Sequence, residues 1–157
     1  MKRILPVIVI SQFLSTSVWF AGNAVLPDLV KTLHLPPGYL AHLTSAVQFG
    51  FIIGTLLFAI FAIADRFSPS YIFFASALIA ALANLVMSIK DLHPGLLLGS
   101  RFLTGFFLAG IYPVGMKIAS DHFDKGLGRS LGWLVGALVF GTALPHLLAE
   151  EPRGSAG

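Results

Sequence analysis

The chain has no cysteine, so neither a disulfide framework nor a thiolate metal site can hold it together. Charge is scarce too: Asp, Glu, Lys and Arg make up 11% of the 157 residues, against about 25% in soluble domains. No acidic residue lies well inside a long apolar run; Asp28 sits at an edge, and Asp65, Asp121 and Asp124 fall in breaks. A proton relay of intramembrane carboxylates is thereby excluded from these runs. Phosphate-cradling glycine loops, HExxH and GxSxG are all missing, and the histidines at 34, 42, 93, 122 and 146 make no compact ligand pattern. With no nucleophile–base pair or metal constellation, neither an enzyme nor a cofactor is expected. The basic residues flank the apolar runs, which suits lipid headgroups and not nucleic acid.

What is present is apolar surface: 56% of the residues are hydrophobic and the mean hydropathy is +0.86. A helix needs about 20 apolar residues to cross a bilayer core about 30 Å thick. Five runs qualify, at about 4–26, 40–64, 70–89, 95–117 and 130–149. They are continuous and do not alternate as strands of a membrane barrel would. The expected fold is therefore all-α, a polytopic membrane bundle of five transmembrane helices over residues 1–149, with a polar tail or linker at 150–157. Pro27-Asp28 is expected to end the first span, and Asp65-Arg66-Phe67-Ser68-Pro69 to form a tight turn between antiparallel neighbours. Pro113 frees the carbonyl of Ala109 and is expected to bend the fourth span.

Lys2, Arg3, Arg66, Lys117, Lys125 and Arg129 fall on one side of this threading, and Lys31, Lys90 and Arg153 on the other. The richer side is cytoplasmic by the positive-inside rule, which places the N-terminus inside and the C-terminus outside a plasma or inner membrane. A cleaved signal peptide is the competing reading of the first run, but that run exceeds the usual apolar core of about 7–15 residues. It also carries an organised polar stripe.

Gln12, Thr16, Trp19 and Asn23 fall within an arc of about 60° on a helix. Two readings are open, a substrate-facing wall or ordinary hydrogen bonding between helices. Arg101, Gly105, Leu108, Tyr112 and Met116 share a similar arc on the fourth span. Arg101 lies about 8–9 Å into that span, so its guanidinium either faces a cavity or snorkels to the interface along its own stem. With no internal carboxylate to pair it, a cavity-facing Arg101 is left with a substrate anion, water, a backbone carbonyl or a carboxylate of another polypeptide, which tilts the expected solute towards anions. Small residues recur at four-residue steps, Ala46, Gly50 and Gly54 in the second span and Gly128, Gly132 and Gly136 in the fifth. Such faces pack helices closely, either within one bundle or at a seam with a second.

Three stretches resemble the major facilitator superfamily of secondary transporters. Asp65-Arg66 is similar to the family's loop signature after span two, although Phe61, Ser68 and Pro69-Ser70 stand where glycines and a basic pair are usual. Arg101-Phe-Leu-Thr-Gly105 is similar to its fourth-span Arg-x-x-x-Gly pattern, and GRSLGWLVGALVFGTALPHLL to its glycine-rich fifth span. The resemblance implies two six-helix bundles around a midplane site, with spans one and four lining the cavity, two and five facing the other bundle, and three facing lipid. Arg101, Tyr112, Gln12, Trp19 and Asn23 become candidate substrate-binding residues, and Asp65 and Arg66 candidates for an inner gate. The chain resembles the N-terminal part of such a transporter, truncated after the fifth helix, and is not expected to transport alone. Two alternatives stand beside it: a half-size transporter acting as a homodimer, and a non-transporting subunit that binds a complementary C-terminal bundle through its glycine faces.

Overall fold

The computed structural model describes residues 4–36, 38–89 and 92–122 and positions 128, 132, 133, 135, 136 and 139. Among the described residues the chain is all helix: α1 (Ile4–Thr32), α2 (Tyr39–Ile60), the single turn α3 (Ile63–Arg66), α4 (Pro69–Leu85) followed by a 3-10 turn (Val86–Ser88), α5 (Pro94–Leu108) and α6 (Tyr112–His122). Four stretches are long and apolar enough to cross a membrane: Pro6–Thr32, Tyr39–Ile60, Pro69–Ser88 and Pro94–Asp121. Most of the fifth expected span, 130–149, lies outside the described residues.

The first helix does not stop at Pro27. It runs to Thr32 with Pro27 inside it. Proline forfeits the bond to the carbonyl four residues back, here that of Asn23, and its ring crowds that oxygen, but packing outweighs the loss. Leu26 and Val30, on either side of the proline, are buried with Leu43, Leu92 and Leu97 in one cluster that ties α1, α2 and α5 together. The true end is a pair of reversed bonds, His34 N–H to Lys31 O and Leu35 N–H to Val30 O, with His34 left-handed at φ 51°. This is the Schellman arrangement, with histidine where glycine is usual.

The second helix ends at Ile60, four residues before the expected boundary, where Ala62 turns left-handed at φ 49° and opens the short α3. Proline begins both α4 and α5, where its missing N–H costs nothing. His93 caps α5 by accepting the Gly95 N–H through Nδ1 at 3.1 Å. The fourth span is interrupted at Ala109–Ile111, whose N–H groups bond three residues back to Phe106, Phe107 and Leu108. Pro113 has no N–H to offer Ala109, and Gly110 presses so closely on Ser76 that a Cβ there would overlap its hydroxyl.

The tightest seam joins α2 and α5. A Cβ at Gly50 would fall on the Phe102 carbonyl, one at Gly54 on the Phe106 carbonyl, and one at Gly105 on the Val47 carbonyl. Three hydrogens thus let two backbones touch. The arrangement of polarity is inverted relative to a soluble domain. Large apolar side chains such as Leu14, Phe49, Ile52, Leu56, Phe74, Leu78, Leu82 and Leu103 are exposed on the outside, while Gln12, Thr16, Ser76, Ser100, Arg101 and Thr104 are buried. Lipid accepts the first group and cannot hydrogen-bond the second.

Candidate functional site

Arg101 is completely buried, at 0% exposure. It does not snorkel; its stem carries the guanidinium inward, where Nη2 donates to Asn23 Oδ1 of α1. Nε and Nη1 have no hydrogen-bond partner among the described residues, and no carboxylate there pairs with the charge. A guanidinium keeps its charge in proteins. In a low-dielectric interior it needs an opposite charge or a full set of acceptors, and here one neutral amide does the holding.

A second amide closes in from α4. Asn84 Nδ2 donates to Ala80 O at 3.0 Å and to Thr104 Oγ1 at 3.3 Å, while Thr104 in turn donates to Ser100 O at 2.8 Å. These bonds leave Asn84 Oδ1 without a partner among the described residues. The helices meet here over Gly22: a Cβ on it would lie 2.6 Å from Asn84 Oδ1, 2.7 Å from Arg101 Nη1 and 3.0 Å from Met87 Cε. A cleft of about 400 Å³ between α1 and the end of α4 opens onto Gly22, Asn84 and Met87, with Val25, Leu29 and Leu85 as apolar walls. Arg101 does not line it; Gly22 and Asn84 stand between the cleft and the guanidinium.

The rest of the polar stripe on α1 continues towards the N-terminal end of that helix. Thr16 donates to the Gln12 carbonyl of its own helix at 2.7 Å, which satisfies it locally. Trp19 stacks on Phe20 with centroids 5.2 Å apart and packs beside Ala80, Leu108 and Ile111; its Nε1–H has no acceptor among the described residues. Gln12 is 1% exposed, its amide pressed against Gly115, with both polar atoms unpartnered among the described residues. An apolar group of similar shape costs nothing at such a place. Gln12→Leu is therefore expected to keep or raise the melting temperature in detergent; a drop of several degrees would show that the amide is satisfied. Tyr112 starts α6 beyond the interruption and is half-buried. The break disturbs the helical phase that put it on one face with Arg101, and no hydrogen bond joins the two among the described residues.

At the N-terminal end of α1 and the C-terminal end of α6, Asp65 pairs with Lys117 of α6 at 2.8 Å, and Asp121 lies 4.0 Å from the same ammonium. Arg66 is exposed and makes no ion pair among the described residues. The face carrying Gly50 and Gly54 is buried against α5, so these two glycines are not free to form a seam with another bundle. Gly132 and Gly136 are exposed, with nothing among the described residues within 4 Å of a Cβ position. The outward face of α2 carries instead Ser45 and Gln48, both exposed.

Residues 8–149 match the Major Facilitator Superfamily. The chain belongs to that family. The facilitator segment is also 35% identical, over 136 residues, to the "Niacin transporter NiaP" of Acinetobacter baylyi, an alignment covering 78% of this chain and 29% of that protein. The chain thus spans less than a third of the length of this relative. No solved structure matches it. As a member of that family with four described stretches long and apolar enough to cross a membrane, it is a multi-pass membrane protein.

Proposed function

We propose that the chain supplies the first spans of a secondary transporter for a small organic carboxylate, and that Arg101 receives the carboxylate. The observation that carries this reading is the buried guanidinium with two unpartnered nitrogens, Nε and Nη1, one amide hydrogen bond and no counter-ion among the described residues. The similarity to a niacin transporter supports the choice of solute, since niacin is a pyridine carboxylic acid and an anion at neutral pH. Asn23 and Trp19 contribute from α1, and the cleft beside Gly22 gives room for an apolar ring. The chain in lipid nanodiscs should bind nicotinate and discriminate against nicotinamide, its neutral amide of the same shape. Equal binding of the two, or none, would remove the reading.

The chain works as part of a larger assembly in this proposal. Ser45 and Gln48 point outward from a membrane helix, and hydroxyls and amides avoid lipid, which favours a protein partner over that face of α2. A second bundle fits the family's architecture. A second copy of this chain is the alternative, separated by whether cross-links from Gln48→Cys join two copies.

Orientation and gating form one further proposal. The N-terminus is cytoplasmic in the plasma membrane, and the Asp65–Lys117 pair holds α3 against α6 on the inner face. Trypsin should then cut after Arg66 only when applied from the inside. Lys117→Ala should speed that cut several-fold. Cleavage from outside, or an unchanged rate, would contradict the orientation or the latch respectively.

A further inference from the structure

We propose that Asn84 on α4 is a positioning residue of the Arg101 site, and that its neutrality keeps the guanidinium available to an anion. The inference rests on the reading that Arg101 takes the solute's carboxylate. The family resemblance places this span towards lipid, and most of α4 agrees: Phe74, Leu78, Leu82 and Leu85 are exposed. Asn84 departs from that pattern because its carboxamide is turned into the bundle.

The orientation of that amide is fixed by its partners. The Ala80 carbonyl accepts and cannot donate, so the NH₂ group must face it, at 3.0 Å. The same group reaches Thr104 Oγ1, whose own proton is committed to Ser100 O. The oxygen is thereby directed to Gly22, where Arg101 Nη1 also arrives. A buried acceptor and a buried donor, both unpartnered among the described residues, converge on one bare patch of backbone. A side chain at residue 22 would separate them.

Asn23 and Asn84 therefore flank the guanidinium from α1 and α4. Asn23 holds it by a hydrogen bond, Asn84 presents an unbonded neutral oxygen close by, and neither amide cancels its charge. A carboxylate in either place would cancel it, and the arginine would become a closed internal ion pair. Asparagine at residue 84 thus differs functionally from aspartate of the same shape.

The experiment uses Asn84→Asp in the 157-residue chain in nanodiscs, with labelled nicotinate and nicotinamide as probes. Nicotinate affinity should fall tenfold or more at neutral pH, with nicotinamide unaffected. The same change loses the donor to the Ala80 carbonyl in either background, so it should cost stability less in the Arg101 background than in an Arg101→Leu background, where the new carboxylate is buried without a partner. A structural role alone does not make that cost depend on residue 101. Asn84→Ala, which loses the carboxamide and adds no charge, should weaken nicotinate to a smaller extent. Asn84→Asp that binds nicotinate as the parent does, or that shifts stability equally in both backgrounds, would overturn the proposal. A parent chain that does not prefer nicotinate to nicotinamide would overturn the anion reading itself and this inference with it, a result distinct from the first.

Discussion

Arg101→Ala is expected to weaken nicotinate binding by roughly ten- to a hundredfold while leaving nicotinamide binding as it was. Hydrogen bonds to a charged group contribute about 1.5–3 kcal/mol each, and the unpartnered Nε and Nη1 of Arg101 lie on the two edges of the guanidinium, each of which can donate to a carboxylate together with the second N–H of Nη2. Arg101→Lys should recover only part of the loss, because an ammonium is a point charge without the planar fork. Stability should move the other way. A buried guanidinium with one neutral partner is costly to keep, and an apolar replacement of similar volume is often neutral or stabilising. Arg101→Leu is therefore expected to melt at or above the parent temperature while losing nicotinate. Equilibrium binding and detergent melting curves on the same preparations check both halves. Lower stability with unchanged binding would return Arg101 to a structural part.

The largest effect on the fold is expected at Gly105. Its missing Cβ would fall on the Val47 carbonyl, so the backbone of α2 itself must move to admit any side chain. Overpacking typically costs about 1–3 kcal/mol and occasionally more, and here the obstacle is backbone, which cannot swing aside. Gly105→Ala should lower stability by at least that range, and Gly105→Leu should prevent α2 and α5 from closing at all. Gly99 on the same helix is the control. Among the described residues nothing lies within 4 Å of its Cβ position, so Gly99→Ala should leave stability unchanged or raise it slightly, as glycine-to-alanine changes in helices do. Loss of helical signal during denaturation in mixed micelles measures all three. Equal behaviour of Gly99→Ala and Gly105→Ala would show that the α2–α5 seam is wrong.

Much of the architecture is legible from hydropathy, because bilayer thickness sets span length and the runs have that length. Pro113 marks the interruption of the fourth span, since a missing N–H can be read directly from the sequence. The end of α1 could not be read in the same way. Pro27 looks like a stop, and only the burial of Leu26 and Val30 against Leu43, Leu92 and Leu97 shows why the helix passes it. Helical phase put Asn23 in a polar stripe and gave Arg101 a face with Gly105 and Tyr112 but left open whether it turned inward or snorkelled; in the structure it turns inward and bonds Asn23. Phase also grouped Gly50 with Gly54, but a small face does not say what it meets; it meets α5 through Phe102 and Phe106. Gly105 was grouped with Arg101 on a cavity face, whereas it is the closest approach to α2.

Asn84 escaped notice because its run is otherwise apolar. A lone carboxamide in such a run is the signal that was available, since lipid would leave it unsatisfied. The Asp65–Lys117 pair could not be read at all, because the two residues are far apart in sequence and neither belongs to the other's motif. The outward Ser45 and Gln48 were visible as letters, but their direction depended on knowing which face of α2 the glycines consume.

The central claim is that the Arg101 side chain offers unpaired N–H groups to an anion inside the bundle. Nuclear magnetic resonance of the chain with labelled arginine in nanodiscs tests it most directly. Arg3, Arg66, Arg129 and Arg153 give the other side-chain signals, and Arg101→Lys assigns the fifth by its disappearance. The account predicts an Arg101 Nε–H signal protected from exchange with water, which shifts on titration with nicotinate and stays in place with nicotinamide. A signal that exchanges as fast as that of the exposed Arg66, or that responds to neither compound or to both alike, would contradict it.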